Sequence, residues 1–531
     1  MVFGDGGKNF GRKGEVNRMA RPPLKIDGQF TEHDVDRFDF AKAPAFVHTK
    51  SLGGQLNEGL HIGGTDFPAD RQFFKFFFHA CDNAPPVKGL AWNCVCRNST
   101  PVPRQKPREI AARLLREWEQ EPVTAETLLA DALPQLHGPD RGLCQELVLG
   151  VIRHRAWLDW LIDQKTDGRR QQPLAQILLR LGLYQLFQLD RVPDHAAVNE
   201  TVNLARRHDL GNQSGFINAV LRNTLREKPQ WIERLAYLRE RQPAVGHSHP
   251  QWLVQRWQHR WPQDTCALLE WNNQPAAIFA RRNTLKVTAE ELEQHWNEEH
   301  VSYTPCNLPW LSPGLMYRIE PVGSPATLPS FAQGFFYIQD PSTLASVQEL
   351  DPRPGENILD LCAAPGGKTT AIAQRMQDEG AVLAIDIEDH RLERLRENAT
   401  RLGITCIQPK ALAQIDLSNA GPFDRILIDA PCSNTGVMRR RVDVRWRLNS
   451  RELPTLARTQ LDLLRRAAPR LKPGGVLVYS TCSIEPEENE EVIAEFLRKH
   501  RMFHQENART LTPMKDGTDG AFVARLRSAE A

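Results

Sequence analysis

From Pro107 onward the chain changes rhythm twice. "PREIAARLLREWEQ" sets Ile110, Leu114 and Trp118 at four-residue steps, the spacing of one helix face. "LCQELVLGVIRHRAWLDWLI", "LAQILLRLGLYQLF", "HAAVNETVNLARRH" and "GFINAVLRNTLRE" carry that stripe to about residue 228. The pattern predicts an all-helical domain over residues 105–240. Residues 241–330 mix short elements with turn signals: "SHPQWLVQRW" reads as the start of a helix and "AAIFARRNTLK" as a strand running into a turn. They predict a linker and a small α+β module. After "FFYIQDPSTLASVQEL" short apolar strands alternate with helical stretches almost to the end, which predicts an α/β domain over residues 331–531.

Residues 1–104 follow neither rhythm. They include the clump "RQFFKFFFHACD" and a lone C-x-C pair, Cys94 and Cys96, too little for a metal site. The expectation is a poorly ordered, dispensable extension, in its sharper form a mis-assigned start with the true one near Val102.

Composition narrows the classes. The 531 residues are 41% hydrophobic and 25% charged with a net charge of +2, ordinary for globular protein and no advertisement of nucleic-acid binding. Ten scattered cysteines suit reduced thiols better than a disulfide framework. No stretch approaches the ~20 apolar residues of a membrane span, so the expected location is the cytoplasm.

The chemistry gathers in the last two hundred residues. "ENILDLCAAPGGKTTAIAQRM" is a strand, a tight turn through Gly366 and Gly367, and a helix whose first amides suit an anion or polar group. A phosphate-binding loop would need glycine where Cys362 stands, and the dinucleotide pattern fails as well. The next strand, in "AVLAIDIEDHRL", ends in Asp386, placed to accept hydrogen bonds from ribose hydroxyls. A nucleoside without phosphates fits both features, and S-adenosylmethionine is the common cofactor of that description. "FDRILIDAPCSNTG" and "LKPGGVLVYSTCSIEPEENE" then each deliver a cysteine, Cys432 and Cys482, just past a strand at the same sheet edge. A thiolate beside a methyl donor is what methylation at carbon 5 of a pyrimidine requires. That carbon becomes nucleophilic only after a thiolate adds to C6. Asp429, at the end of the first of these strands, is the candidate to stabilise charge at N3. Spacing alone leaves open which cysteine attacks.

At "DLCAAPGGKTT", "AIDIEDHRL", "FDRILIDAPCSNTGVMRR", "LVYSTCSIEPEENE" and "DGTDGAFVARL" the sequence resembles the Sun/Fmu (RsmB-type) 16S ribosomal RNA cytosine-C5 methyltransferases. The resemblance covers about residues 107–531. It implies a Rossmann-like methyltransferase domain preceded by an all-α NusB-like RNA-binding domain and a small α+β module. It further implies Cys482 as nucleophile and Cys432 as the aid to product release. S-adenosylmethionine would be held by Cys362, Ala363, Ala364, Pro365, Gly366, Gly367, Lys368, Asp386 and Asp429. The implied partner is 16S ribosomal RNA, free or in an early small-subunit particle, with no metal, no membrane and a monomeric enzyme; another RNA such as tRNA is the alternative. One position departs from the family pattern. Where an acidic residue usually follows the third strand, Lys410 stands, and Asp416 is the nearest acid.

Arginines supply the only local sign of RNA. Arg439, Arg440, Arg441, Arg445, Arg447 and Arg451 follow the Cys432 loop with Trp446 among them, and Arg153, Arg155, Arg206, Arg207, Arg222 and Arg226 lie along the helices. Beside a site that must admit a polyanion, phosphate contact is the expected role, above all for Arg439, Arg440, Arg441 and Arg445. The rival readings are a P-loop NTPase and a non-catalytic RNA-binding factor.

Overall fold

The computed structural model describes residues 106–530 apart from 209, 321 and 322, together with an isolated hairpin of β1 (Leu60–Ile62) and β2 (Thr65–Phe67). The expectations for the rest of residues 1–104, Cys94 and Cys96 included, lie outside the described residues.

The helical domain forms as its apolar spacing predicts. Helices Pro107–Gln120, Pro139–Arg153 and Pro173–Gln188 each begin with proline, which has no amide hydrogen to waste at a helix start. Ile110, Leu114 and Trp118 are all buried. Helix Pro173–Gln188 is the centre, apolar nearly all round, and its neighbours close on it where side chains vanish. A Cβ on Gly150 would overlap the Tyr184 ring, and one on Gly182 would sit 2.8 Å from Leu221. Buried Arg180 holds Asp159 with two nitrogens at 2.6 and 2.9 Å, so that a charged group in the core is fully paired.

The middle module is an antiparallel sheet of β3 (Ile278–Arg282), β4 (Ser302–Pro305), β5 (Met316–Glu320) and β6 (Phe336–Ile338), ordered β4-β5-β3-β6. Helix Ala289–Glu298 covers it through Trp296, which packs edge-on against Tyr317 and Phe336. The sheet takes in residues past the expected limit at 330 because Ile338 pairs with Ala280.

The C-terminal sheet has seven strands: β7 (Asn357–Leu361), β8 (Ala381–Asp386), β9 (Ile407–Ala411), β10 (Phe423–Asp429), β11 (Leu471–Thr481), β12 (Phe503–Leu511) and β13 (Ala521–Ser528). Their order is β12-β13-β11-β10-β7-β8-β9. Strands β7 to β11 run parallel, and β13 is inserted antiparallel beside β11. Leu427 faces one apolar layer, while Ile426 and Ile428 face the other. Burial on both faces explains why these strands read as unbroken apolar runs. The chain winds outward from β7 through β8 to β9, then returns to the other side of β7 as β10. That reversal opens a crevice at the carboxyl ends of β7 and β10, where open α/β sheets carry their sites.

Candidate active site

The loop leaving β7 is held in one shape. Cys362 has φ +70 and Gly366 φ +101, a left-handed backbone that glycine adopts without strain. A Cβ at Gly366 would also meet Leu395 at 2.8 Å. Asp386, buried at the end of β8, accepts from Ala364 N at 2.9 Å, Ile387 N at 2.8 Å and Arg391 Nη1 at 2.6 Å. A carboxylate offers about four lone-pair sites, so one remains for a ribose hydroxyl. Arg391, about half exposed, is the ligand free to swing away and release a second. Lys368 reaches across to Asp429, which also accepts from Ser480 Oγ at 3.0 Å. Beneath them, burial pushes the Asp360 carboxyl up to about 7, against the hydrogen bond it receives from Thr369 at 2.6 Å. Cys362 is a shape element here, its thiol pushed up to about 12 by burial and the acids around it.

The two cysteines meet. Cys432 Sγ and Cys482 Sγ are 3.2 Å apart, and Cys482 Sγ lies 3.0 Å from Asn434 Oδ1. The thiols are unequal. The hydrogen bond from Cys432 lowers the Cys482 pKa, helped by Arg441 and Lys368 and opposed by burial and Asp429. Cys432 is pushed up by that same bond, by burial and by the Cys482 and Glu488 charges. The two thiols thus lean in opposite directions, Cys482 toward ionisation and Cys432 away from it, the asymmetry nucleophilic chemistry needs. The loops touch backbone to backbone: Gly436 N donates to Cys482 O at 3.0 Å, and a Cβ at Gly436 would run into Gly520 O at 2.5 Å.

The arginine run behaves differently from expectation. Arg439 is buried, pairs with Asp519 and Asp340, and lies over Trp271 at 4.0 Å. Arg440 pairs with the same two acids and donates to Ala277 O at 3.0 Å. Arg445 is completely buried and donates to the carbonyl oxygens of Arg153 at 3.1 Å, Ser248 at 3.2 Å and Asn272 at 2.8 Å, and to Asn273 Oδ1 at 2.7 Å. Trp446 Nε1 donates to Ile152 O at 2.8 Å, and Arg447 takes carbonyls of Trp118, Glu121 and Val123. Arg439 and Arg445, both buried, thus clasp the cysteine loop to the rest of the protein in place of the expected phosphate contact, and Arg440, about a third exposed, shares the acids of Arg439. Arg441 alone of the four is exposed, as is Arg451. On the helices, Arg153 is buried and Arg155 lies against Glu119, Asp159 and two tryptophans, whereas Arg206, Arg207, Arg222 and Arg226 are exposed. Lys410 is exposed on edge strand β9, and Asp416 accepts from Ser418 and Asn419.

Sequence reasoning missed two supports. Arg281 on β3 is buried against Tyr337 and donates to Gly367 O at 2.6 Å and Thr370 Oγ1 at 2.9 Å, fixing the first turn of the cofactor-loop helix from the neighbouring module. Glu488 lies wholly buried between the cysteine loops. "EPEENE" reads as a solvated acidic run, and no local signal marks one of its glutamates as buried.

The residues present fit S-adenosylmethionine: carboxylates end β8 and β10, the two strands flanking β7, and the helix start that follows β7, without a phosphate cradle, lies between them. The helical stretch matches the NusB family over residues 105–226, the module the RsmF/B-like ferredoxin-like domain over 249–311, and the sheet domain the family described as 16S rRNA methyltransferase RsmB/F over 347–527. The "Probable ribosomal RNA small subunit methyltransferase B" of Synechocystis sp. is 36% identical over 451 residues, covering 80% of this chain and 99% of its own. The "Ribosomal RNA small subunit methyltransferase B" of Klebsiella pneumoniae is 35% identical over 433 residues, covering 79% and 97%. In fold, the crystal structure of PH0851 superposes with a TM-score of 0.65 at 24% identity, covering 80% of this chain and 99% of that one. S-adenosylmethionine is accordingly the cofactor. Paired thiols, a methyl-donor crevice and relatives spanning all three domains lead to one family, and the chain belongs to the RsmB/F methyltransferases.

Proposed function

We propose that the protein methylates carbon 5 of a cytosine in small-subunit (16S) ribosomal RNA through a covalent bond between Cys482 and C6. The carrying observation is the 3.2 Å sulfur pair at the sheet edge that holds Lys368 and Asp429, with the Cys482 thiol shifted toward ionisation by the hydrogen bond from Cys432. The bound cofactor supplies an electrophilic methyl group. Cys482 adds to C6, and the electron pair displaced from the C5–C6 double bond makes C5 the nucleophile. Asp429, a third exposed, is the candidate to donate from its carboxylic-acid form to N3 as negative charge develops on the ring. Solvent water takes the C5 proton, the freed electron pair restores the C5–C6 double bond, and Cys482 leaves as a thiolate that accepts a hydrogen bond from the Cys432 thiol. Cys432, in contact with that sulfur, assists this last step. The target base must leave its stack, which favours looped or single-stranded RNA. Exposed Arg441 and the exposed helix arginines are offered to its phosphates.

The test separates the thiols. Cys482→Ala is expected to abolish methylation and form no RNA adduct. Cys432→Ala is expected to allow attack and methyl transfer, then stall as an adduct seen as a slow band on a denaturing gel. The reverse pattern would exchange the roles. Bisulfite sequencing of RNA treated with the enzyme identifies the base, and a signal confined to tRNA would move the substrate.

A further inference from the structure

The acidic run after Cys482 divides by partner. Glu485 meets Arg256 and accepts from Trp257 Nε1 at 3.0 Å, and Glu487 also meets Arg256. Glu488 is the exception, because its four hydrogen bonds all come from neutral donors. Oε1 accepts from Ser433 N at 2.8 Å and Gln460 Nε2 at 3.0 Å; Oε2 accepts from Ser433 Oγ at 2.5 Å and Ser483 Oγ at 2.6 Å. The four donors match the four lone-pair sites of an ionised carboxylate. Burying such a charge without a cation is costly, and an apolar side chain would hold the loops together more cheaply. The residues it grips give the reason. Ser433 follows Cys432 and Ser483 follows Cys482, and the two hydroxyls are 3.0 Å apart.

We propose that Glu488 is the positioning residue of the cysteine pair: its carboxylate clips the two loops at the residue after each cysteine and so sets the approach of the sulfurs. The assignment rests on the reading of Cys482 and Cys432 as the working thiols. Two further ties fix the clip itself. Tyr479 OH donates to Glu488 O at 2.6 Å, and Gln460 Nε2 donates as well to Pro431 O at 2.9 Å. The charge also sorts the pair. Lys368, Arg441 and Asp429 act on Cys482, whereas Glu488 acts on Cys432 and disfavours its ionisation. Glu488 thus holds Cys432 within reach of its partner and adds to the influences that disfavour its ionisation.

Glu488→Gln keeps the shape and removes the charge, since the serine hydroxyls can turn to accept. Iodoacetamide labelling of the full chain across pH, read by peptide mass for each cysteine, gives a readout that a purely structural role would not move. In the unaltered protein Cys482 is expected to label first. In Glu488→Gln the preference for Cys482 over Cys432 is expected to fall about tenfold, the population change of one pKa unit. Ser483→Ala keeps the charge but cuts the tie at the Cys482 loop. It is expected to move the Cys482 labelling profile to higher pH, and it carries the test alone if Glu488→Gln does not fold. Unchanged labelling in either folded variant overturns the proposal. If Cys432→Ala forms no RNA adduct while Glu488→Gln still shifts the labelling, the reading of the reaction fails and this assignment stands.

Discussion

The cofactor loop and the arginine run are both dense with functional-looking residues, yet they are built in opposite ways. The cofactor loop is held mostly from within its own sheet: the Ala364 amide meets Asp386 on the adjacent strand, Thr369 meets Asp360 and Lys368 meets Asp429, with Arg281 reaching in from the module. From Arg439 to Arg447 the partners lie far along the chain, on Asp340, Asp519, Ser248 and the helices before Arg153. The first region shapes a pocket for a small molecule. The second spends its charge on protein and gives RNA little beyond Arg441. A run of like charges therefore reports solvent only while nothing folds back over it.

Substitutions can break this contrast. The largest effect is expected at Arg445. Arg445→Ala strands four acceptors at a buried junction, so the midpoint of urea unfolding should fall by an amount worth roughly 3 kcal/mol or more. A loss no larger than that of a surface arginine would return Arg445 to the phosphate-contact class. Asp386→Ala removes charge-assisted hydrogen bonds and is expected to weaken S-adenosylmethionine binding by ~2–3 kcal/mol in calorimetry. Unchanged affinity would take Asp386 out of the cofactor site. Arg441→Ala should change stability by less than ~0.5 kcal/mol and lower the salt slope of RNA binding by about 1. It should also raise the pH at which Cys482 labels, because a favourable charge is gone. The smallest effect concerns pH alone. Native Asp360 keeps its proton up to about 7, whereas the unfolded chain releases it near 3.8. Between those values the native state binds the extra proton, so this group's contribution to stability falls as pH rises. Asp360→Asn should remove that decline from the urea midpoint measured across the window.

The same contrast governs how much could be read from sequence. The helical stripe through Ile110, Leu114 and Trp118 and the strands ending at Asp386, Asp429 and Thr481 were legible because burial imposes its period on neighbouring residues. The convergence of Cys432 and Cys482 was legible because parallel strands end at one edge. Arg439, Arg445 and Glu488 were not. Burial of an ionised side chain depends on donors and acceptors that tertiary contact supplies, and neither "RRRVDVR" nor "EPEENE" carries a record of Asp519, Asn272 or Gln460. The arrival of β6 in the module is similar, since its claim on Phe336–Ile338 rests on pairing with a strand far back along the chain.

The acceptors around Arg445 carry one more consequence. Three of the four are main-chain carbonyls, from Arg153, Ser248 and Asn272. Every amino acid supplies a carbonyl, so the contact with Arg445 itself asks nothing of these three side chains, although the Ser248 hydroxyl also accepts from Ala156 N at 2.7 Å. What cannot change is the path of the backbone that aims them. The interface is permissive in composition and strict in conformation. A helical domain borrowed from a relative would have to bring the carbonyl of its residue 153 to the same place to meet Arg445.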